Sequence, residues 1–364
     1  MTPLSTRNST RSNSLYSATR GARRVLLIEP GQLGDTIHLL PALWDLRRSF
    51  PQAELHVVSS PVGAEVLKLA GCVDRQWVLD QAPERRSLAE QFRVLLALRR
   101  LRFDLSFNFG DNDRNVIHAA LAGARRRVAF RRDRWHFWSR WCIPEWIAVR
   151  NRDEPVFEQR RQMLAACGFD LGPPRFDLRV PQSAEDWAAA NVPFGAVHFS
   201  INASTHLKEW PLPYWIELAQ RLGRSRPGAR LVATGTASPR EVKRLETFEA
   251  SLTGMSVKTF SGPTIPELAA LLRRCALHIG ADSGVLHLAM ALGTPTLSLF
   301  REYPGQLEWV PRGPQHRHLK VACACAGQRR PACLDLEQSV CMAGIRPETV
   351  VMDLEKQIAT HTTN

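Results

Sequence analysis

Residues 276–300 read ALHIGADSGVLHLAMALGTPTLSLF. The apolar run Ala276–Ile279 stops at Gly280, a small-residue turn follows, and a helix is expected over Ser283–Leu292. Gly293 and Pro295 break that helix before a second apolar run, Thr296–Phe300. Strand, helix and strand within this span make a βαβ unit, whose two strands lie parallel and whose crossover is right-handed. From Ser283 to Phe300 there is no Asp, Glu, Lys or Arg, over a length that would suit a membrane span. The breakers and His287 divide it, so a helix followed by a strand explains it better.

The alternation continues upstream. Gly195–Ser200 (GAVHFS), Arg230–Thr234 (RLVAT) and Val257–Phe260 read as strands, with helices over Pro213–Leu222, Pro239–Glu249 and Ile265–Cys275. Thr264 with Glu267 three residues on is a capping-box start. The first half repeats the pattern, with strands Arg24–Pro30 (RVLLIEP), Ala53–Ser60, Arg75–Asp80 and Leu105–Phe109. Helices fall over Asp35–Phe50, Gly63–Ala70 and an amphipathic Arg86–Leu101, and a further helix near Pro155–Cys167 runs into a Gly/Pro-rich connector. The organisation this predicts is a disordered basic tail over 1–23, an N-terminal domain over 24–180, a C-terminal domain over 181–346 and a closing helix over 347–364 that returns to the first domain. The expected fold class is α/β: two Rossmann-like doubly wound domains facing a cleft, with ligands at the carboxyl ends of the strands.

With 364 residues, 44% hydrophobic and 23% charged, the chain is long enough for two cores and too apolar for wholesale disorder. Residues 1–24 hold no apolar segment of the kind a secretory signal needs, so the eight cysteines are expected to be reduced thiols, metal ligands or core residues in a cytoplasmic protein. The net charge is +13. It is concentrated: six of the ten residues Arg125–Arg134 are Arg, and four Trp follow within Trp135–Trp146. Such a stretch fits a solvated basic face beside core aromatics. It equally fits an acidic partner held by Arg131, Arg132 and Arg134, because guanidinium groups grip phosphates and carboxylates bidentately. No nucleic-acid-binding motif accompanies it, so nucleic acid is disfavoured as a partner.

Three loops carry chemistry-capable residues. After the first strand comes Gly31-Gln32-Leu33-Gly34-Asp35, where Asp35 reads as a helix cap on spacing alone; no G-x-G-x-x-G is present, which argues against a dinucleotide enzyme. After Gly195–Ser200, the loop Ile201–Trp210 gathers Ser204, Thr205 and Lys208, two hydroxyls and an ammonium suited to a phosphate, although a lone loop lysine is also commonly just solvated. The third is Gly280–Leu292: backbone N–H groups at Ser283 and Gly284 open a helix and form an anion site, and His287 projects one turn on, either as a core histidine or as part of that site.

GDTIHLLPAL (Gly34–Leu43), STHLKEWP (Ser204–Pro211) and GADSGVLHLAMALGTPTLSLF (Gly280–Phe300) resemble, in order and spacing, the family-nine glycosyltransferases, the ADP-heptose:lipopolysaccharide heptosyltransferases. The resemblance implies a GT-B fold and an inverting transferase needing no cofactor for catalysis. It implies an ADP-heptose donor in the C-terminal domain, and an anionic lipopolysaccharide core acceptor in the N-terminal one, at the inner-membrane face. By motif position, Asp35 looks like the general base. Ser204, Thr205, Lys208, Asp282, Ser283, Gly284 and His287 look like donor-binding residues, and Glu241 resembles the acidic residue that holds the adenosine ribose.

Cys323, Cys325, Cys333 and Cys341 lie within twenty residues. Four thiols so close suit a structural zinc or iron site, but also free thiols in a loop. Some relatives that heptosylate proteins bear a four-cysteine metal finger near the C-terminus, so O-heptosyl transfer to a protein acceptor is the alternative function. Cys72, Cys142, Cys167 and Cys275 read as core residues.

Overall fold

The computed structural model describes residues 15–80, 87–110, 112–131, 138–147, 151–324, 326, 332–336 and 338–361. They form two compact units, one ending at Arg179 and the other beginning at Val180.

The first unit runs β1 (Arg24–Glu29), α1 (Leu33–Ser49), β2 (Glu54–Ser59), α2 (Pro61–Ala70), β3 (Arg75–Val78), α3 (Leu88–Arg100), β4 (Leu105–Asn108), α4 (Asp113–Ala122), β5 (Arg126–Phe130), α5 (Ser139–Cys142), β6 (Glu145–Ile147) and α6 (Val156–Ala166). All six strands are parallel, in the order β3-β2-β1-β4-β5-β6. The reversal of winding direction falls between β1 and β4, where doubly wound sheets bind ligands. Val25, Leu26, Leu27 and Ile28 are fully buried, as a strand covered on both faces requires. One face packs Leu95 and Leu98 of α3, Val116 and Ala119 of α4, and Ile143. On α1 and α6, the Arg161 Nε atom lies 2.7 Å from Asp45 Oδ2, with both side chains buried.

One expectation for this half needs correction. Residues 15–19 form a helical turn rather than part of a disordered tail; the Tyr16 ring lies tilted 4.7 Å from Phe169 and edge-on 5.9 Å from Phe50, and Leu15 is buried. An apolar pair inside a polar segment was enough to dock it. The rest of the tail, 1–14, lies outside the described residues. Of the arginine run, Arg125, Arg126 and Arg131 are exposed and Arg127 is half-buried. Arg126 and Arg127 belong to β5, where Arg126 pairs with Glu145 at 3.2 Å and Arg127 donates to the Cys142 carbonyl at 2.6 Å.

The second unit runs α7 (Gln182–Asn191), β7 (Ala196–Ser200), α8 (Leu212–Ser225), β8 (Arg230–Gly235), α9 (Pro239–Ala250), β9 (Ser256–Ser261), α10 (Ile265–Arg274), β10 (Cys275–Ala281), α11 (Gly284–Ala291), β11 (Thr296–Phe300), β12 (His316–Lys320), α12 (Val340–Gly344) and α13 (Pro347–His361). Its parallel order, β12-β11-β10-β7-β8-β9, reverses between β7 and β10. Thr264 and Glu267 cap α10 reciprocally. One sheet face is apolar, with Phe199, Leu231, Ile279, Leu297 and Leu299 against Trp210, Trp215 and Phe248. The closing helix α13, expected to cross to the first domain, buries Val350 and Leu354 in this core.

The opposite face carries a polar layer beside the buried Val232 and Phe300. Strand alternation puts His198, Thr234, His278, Thr296 and Ser298 there, all buried. Burial pushes His198 down to about 3 and His278 well below its ordinary value, helped by the neighbouring His198 and His287. Both are neutral in the folded chain, whereas the unfolded chain takes up protons below about pH 6.5. Stability should therefore fall as pH drops from 6.5, by at most about 1.4 kcal/mol per pH unit for each histidine. Urea unfolding at pH 7.0 and 5.0 tests this: the midpoint for the second unit is lower at pH 5.0, and equal midpoints contradict the account.

Candidate active site

In the first unit the chain turns from β1 into α1 through Pro30–Gln32. Asp35, in the first helical turn, accepts the Gln32 N–H through Oδ2 at 2.8 Å. Gln32, not Asp35, is the N-cap; Asp35 is its capping-box partner at the third helical position, and its negative charge sits favourably at the positive end of the dipole. Gly31 is required by contact: a Cβ there would stand 2.6 Å from Cβ and Cγ of Asp35. From α6, Arg160 reaches under the turn. Its Nη2 lies 2.6 Å from Glu29 Oε2, with both side chains 5% exposed, and 3.7 Å from Asp35 Oδ1. The same guanidinium donates to the Asp35 carbonyl. The Asp35 side chain stays 28% exposed. The turn holds this carboxylate by a backbone donor and a buried cation, yet solvent and solutes reach it. Arg131 is exposed just beyond β5, while Arg132 and Arg134 lie outside the described residues.

In the second unit, Asp282 gathers the charged groups. Lys208, at the end of a 3₁₀ turn (His206–Lys208), places Nζ 2.6 Å from Asp282 Oδ2. Tyr303 donates its hydroxyl to the same oxygen at 3.0 Å, and His287 Nε2 stands 3.6 Å from Oδ1. Burial opposes ionisation of Asp282, but His287 and Lys208 outweigh it and hold its carboxyl well below the usual range. Burial and the adjoining carboxylate raise Tyr303, which stays a protonated donor. Lys208 is 28% exposed, so its ammonium is fixed without being sealed in. Immediately after Asp282, Ser283 takes the cap position of α11 with extended backbone, and the helix begins at Gly284. Its first N–H groups have no partner within the helix.

Ser204 and Thr205 are exposed in the loop that carries Lys208. Glu241, in the first turn of α9, accepts the Thr236 N–H at 2.7 Å and so braces the loop after β8. Each of these loops leaves a strand at its carboxyl end. The sequence reading missed Arg160, Glu29 and Tyr303. Arg160 lies 131 residues from Glu29 and Tyr303 lies 21 from Asp282, so no local spacing ties the partners together.

Among the cysteines, Cys72, Cys167 and Cys275 are buried and burial pushes their thiols up to about 12, as core residues; Cys142 is half-buried. Cys341 is raised by burial and by its hydrogen-bonded neighbour Cys323. Cys333 is buried, and Cys325 lies outside the described residues. Among the described residues no group of three or more His, Cys, Asp or Glu is placed to hold a metal ion.

Two doubly wound parallel sheets, with charged loops at the reversal of strand order in each, make up the GT-B architecture. The profile of glycosyltransferase family 9 (heptosyltransferase) matches residues 92–335, and the chain belongs to that family. It is 27% identical over 367 residues to lipopolysaccharide heptosyltransferase 1 of Pseudomonas aeruginosa, covering 92% of this chain and 98% of that one. The ADP-heptose lps heptosyltransferase II structure from E. coli superposes with TM-score 0.72 at 18% identity, over 93% of this chain and 99% of that one. The iron-containing dodecameric glycosyltransferase TibC, from enterotoxigenic E. coli, matches with TM-score 0.56 at 14% identity, over 94% and 80%.

The buried Arg160–Glu29 pair generates a prediction. Arg160→Met strands a buried carboxylate and should cost about 3–5 kcal/mol. Adding Glu29→Leu removes the stranded charge and should recover a large part of that loss. Urea unfolding of the two variants measures both steps, and a double variant no more stable than the single one contradicts the pairing.

Proposed function

We propose that this glycosyltransferase moves a heptose from ADP-heptose onto a sugar hydroxyl of the lipopolysaccharide core, with inversion at the anomeric carbon. The observation that carries the reading is the Lys208–Asp282–His287 cluster beside the open N-terminus of α11. A departing nucleoside diphosphate gathers negative charge on its bridging oxygen, and a preorganised ammonium with free N–H groups answers that need. The names of the similar proteins support heptose and lipopolysaccharide as the substrate classes.

In this reading Asp35 takes the proton of the acceptor hydroxyl. That oxygen bonds to the anomeric carbon as the bond from the anomeric carbon to the phosphate oxygen breaks, and ADP leaves with the electron pair. Lys208 and the N–H groups at Ser283 and Gly284 stabilise the leaving diphosphate. Asp282 positions the lysine, while Ser204, Thr205 and His287 complete the donor site. Glu241 binds the ribose hydroxyls from the first turn of α9. Arg131, Arg132 and Arg134 serve the acidic acceptor. No residue in this scheme requires a metal.

The acceptor is lipid-linked, and the first unit offers an outer face suited to an anionic lipid surface. Trp141 is 85% exposed, and Phe92, Leu96, Ile117 and Leu121 are exposed on α3 and α4. Arg93, Arg99 and Arg100 lie among them on α3, all exposed. Basic residues near such a surface contribute ~1 kcal/mol each.

Asp35→Asn should bind ADP like the parent, by calorimetry, and lose on the order of 10²–10⁴ in turnover with ADP-heptose, the usual contribution of a general base. Full turnover in this variant removes Asp35 from the reaction. Calorimetry of the parent with UDP and GDP beside ADP checks the nucleotide.

A protein acceptor is the second reading. The contact between Cys323 and Cys341, and the likeness to an iron-containing glycosyltransferase, favour it. A tetrahedral thiolate site needs four ligands, so Cys333 and Cys325 would have to join that pair. Elemental analysis of protein purified without chelator should find near-stoichiometric iron or zinc under this reading, together with heptose transfer to protein; metal-free protein active on lipopolysaccharide core rules it out.

A further inference from the structure

Where the second sheet reverses direction, two histidines lie that the reaction above does not use. His198 on β7 and His278 on β10 are register partners, and both are fully buried. Their Nδ1 atoms stand 2.8 Å apart. The other ring nitrogen of His198, Nε2, lies 2.9 Å from the Thr234 hydroxyl on β8. His278 Nε2 is buried with no hydrogen-bond partner. It fills the space over Gly280, where a Cβ would stand 2.7 Å away, so this ring edge lies at the carboxyl end of β10, two residues before Asp282. His287, the partner of Asp282, is close enough to act on His278 electrostatically.

Two neutral rings facing each other through Nδ1 hold a single proton between them, and this couples their tautomers. If the Thr234 hydroxyl donates to His198 Nε2, then His198 Nδ1 carries the proton and donates to His278 Nδ1. His278 must then carry its own proton on Nε2, on the side of Gly280. If His198 Nε2–H donates to Thr234 instead, His278 Nδ1–H donates to His198, and His278 Nε2 presents a lone pair. Passing from the second form to the first moves the His278 Nδ1 proton to His198 Nδ1 and the His198 Nε2 proton to the Thr234 oxygen. The hydroxyl proton of Thr234 leaves to water while water delivers one to His278 Nε2, so the chain decides whether a donor or an acceptor edge is presented with no change of net charge. Burial keeps both rings neutral, so the device works by tautomer. In a low-dielectric interior, an anion at the turn favours the donor edge.

We propose that Thr234, His198 and His278 are positioning residues of the donor site, a neutral relay in which a nucleoside diphosphate at the α11 turn selects the tautomer with the proton on His278 Nε2. The relay rests on the donor reading given above. It joins the end of β8, near the loop that Glu241 braces, to the turn carrying Asp282 and Ser283, so that the two ends of one nucleotide are sensed through one chain of hydrogen bonds.

Long-range ¹H–¹⁵N spectra of the histidine-labelled full chain, with and without ADP, test it. The signal of His278 Nε2 should move to the protonated form on adding ADP. Thr234→Val removes the hydroxyl donor and should weaken ADP binding, and raise KM for the donor, by roughly 3- to 10-fold, the size of one hydrogen bond, with a smaller change in kcat. Thr234→Ser should restore both. ADP binding with histidine signals unmoved, or Thr234→Val binding ADP as the parent does, overturns the relay alone. A parent that binds no ADP overturns the donor reading and the relay with it.

Discussion

A carboxylate with 4% of its side chain exposed cannot stay ionised without partners, and Asp282 meets that constraint with an ammonium, a phenol and an imidazole. The arrangement fixes more than one charge. Lys208 stands on the loop after β7, Asp282 just past β10, and Tyr303 just past β11, so neutralising one buried group ties together three loops. The ammonium is held at the mouth of the α11 turn instead of sampling solvent, and the helix start stays open because its neighbour supplies the charge balance. The same logic works in the first unit, where Arg160 answers Glu29 and steadies the Asp35 turn from beneath.

Much of this was legible in the amino-acid order. Strands ending at glycine and helices opening at Thr264 or after Ser283 follow from local rules that hold at short range, and those elements appear within a few residues of the expected places. Strand β5 did not stand out because Arg126 and Arg127 mask its apolar end, and β12, which reads HRHLK, has almost no apolar pattern at all. Its sheet neighbours β11 and β10 supply the pairing that its own sequence does not announce. Similarly, Asp282 and Lys208 could be named from their loops, but Arg160 and Tyr303 are brought in by the winding of each sheet.

The second sheet departs from the usual all-apolar parallel sheet. Its α8 and α9 side is packed with tryptophan, phenylalanine and leucine, while the other side holds histidine, threonine and serine in register across neighbouring strands. Such a layer is tolerated because its members find one another: His198 meets Thr234 and His278, Thr296 meets His316 at 3.0 Å, and Ser298 donates to the Arg317 carbonyl. A polar stratum of this kind restricts which strands can sit beside which, since a slipped register would leave several buried groups unsatisfied at once.

The helical turn at residues 15–19 has a practical bearing. Tyr16 covers the rings of Phe50 and Phe169, and its N–H donates to the Cys167 carbonyl. A shortened version of the chain cut back to the first strand would bare two aromatic rings and a carbonyl on one side of the unit, and molecules so trimmed would tend to stick to one another there.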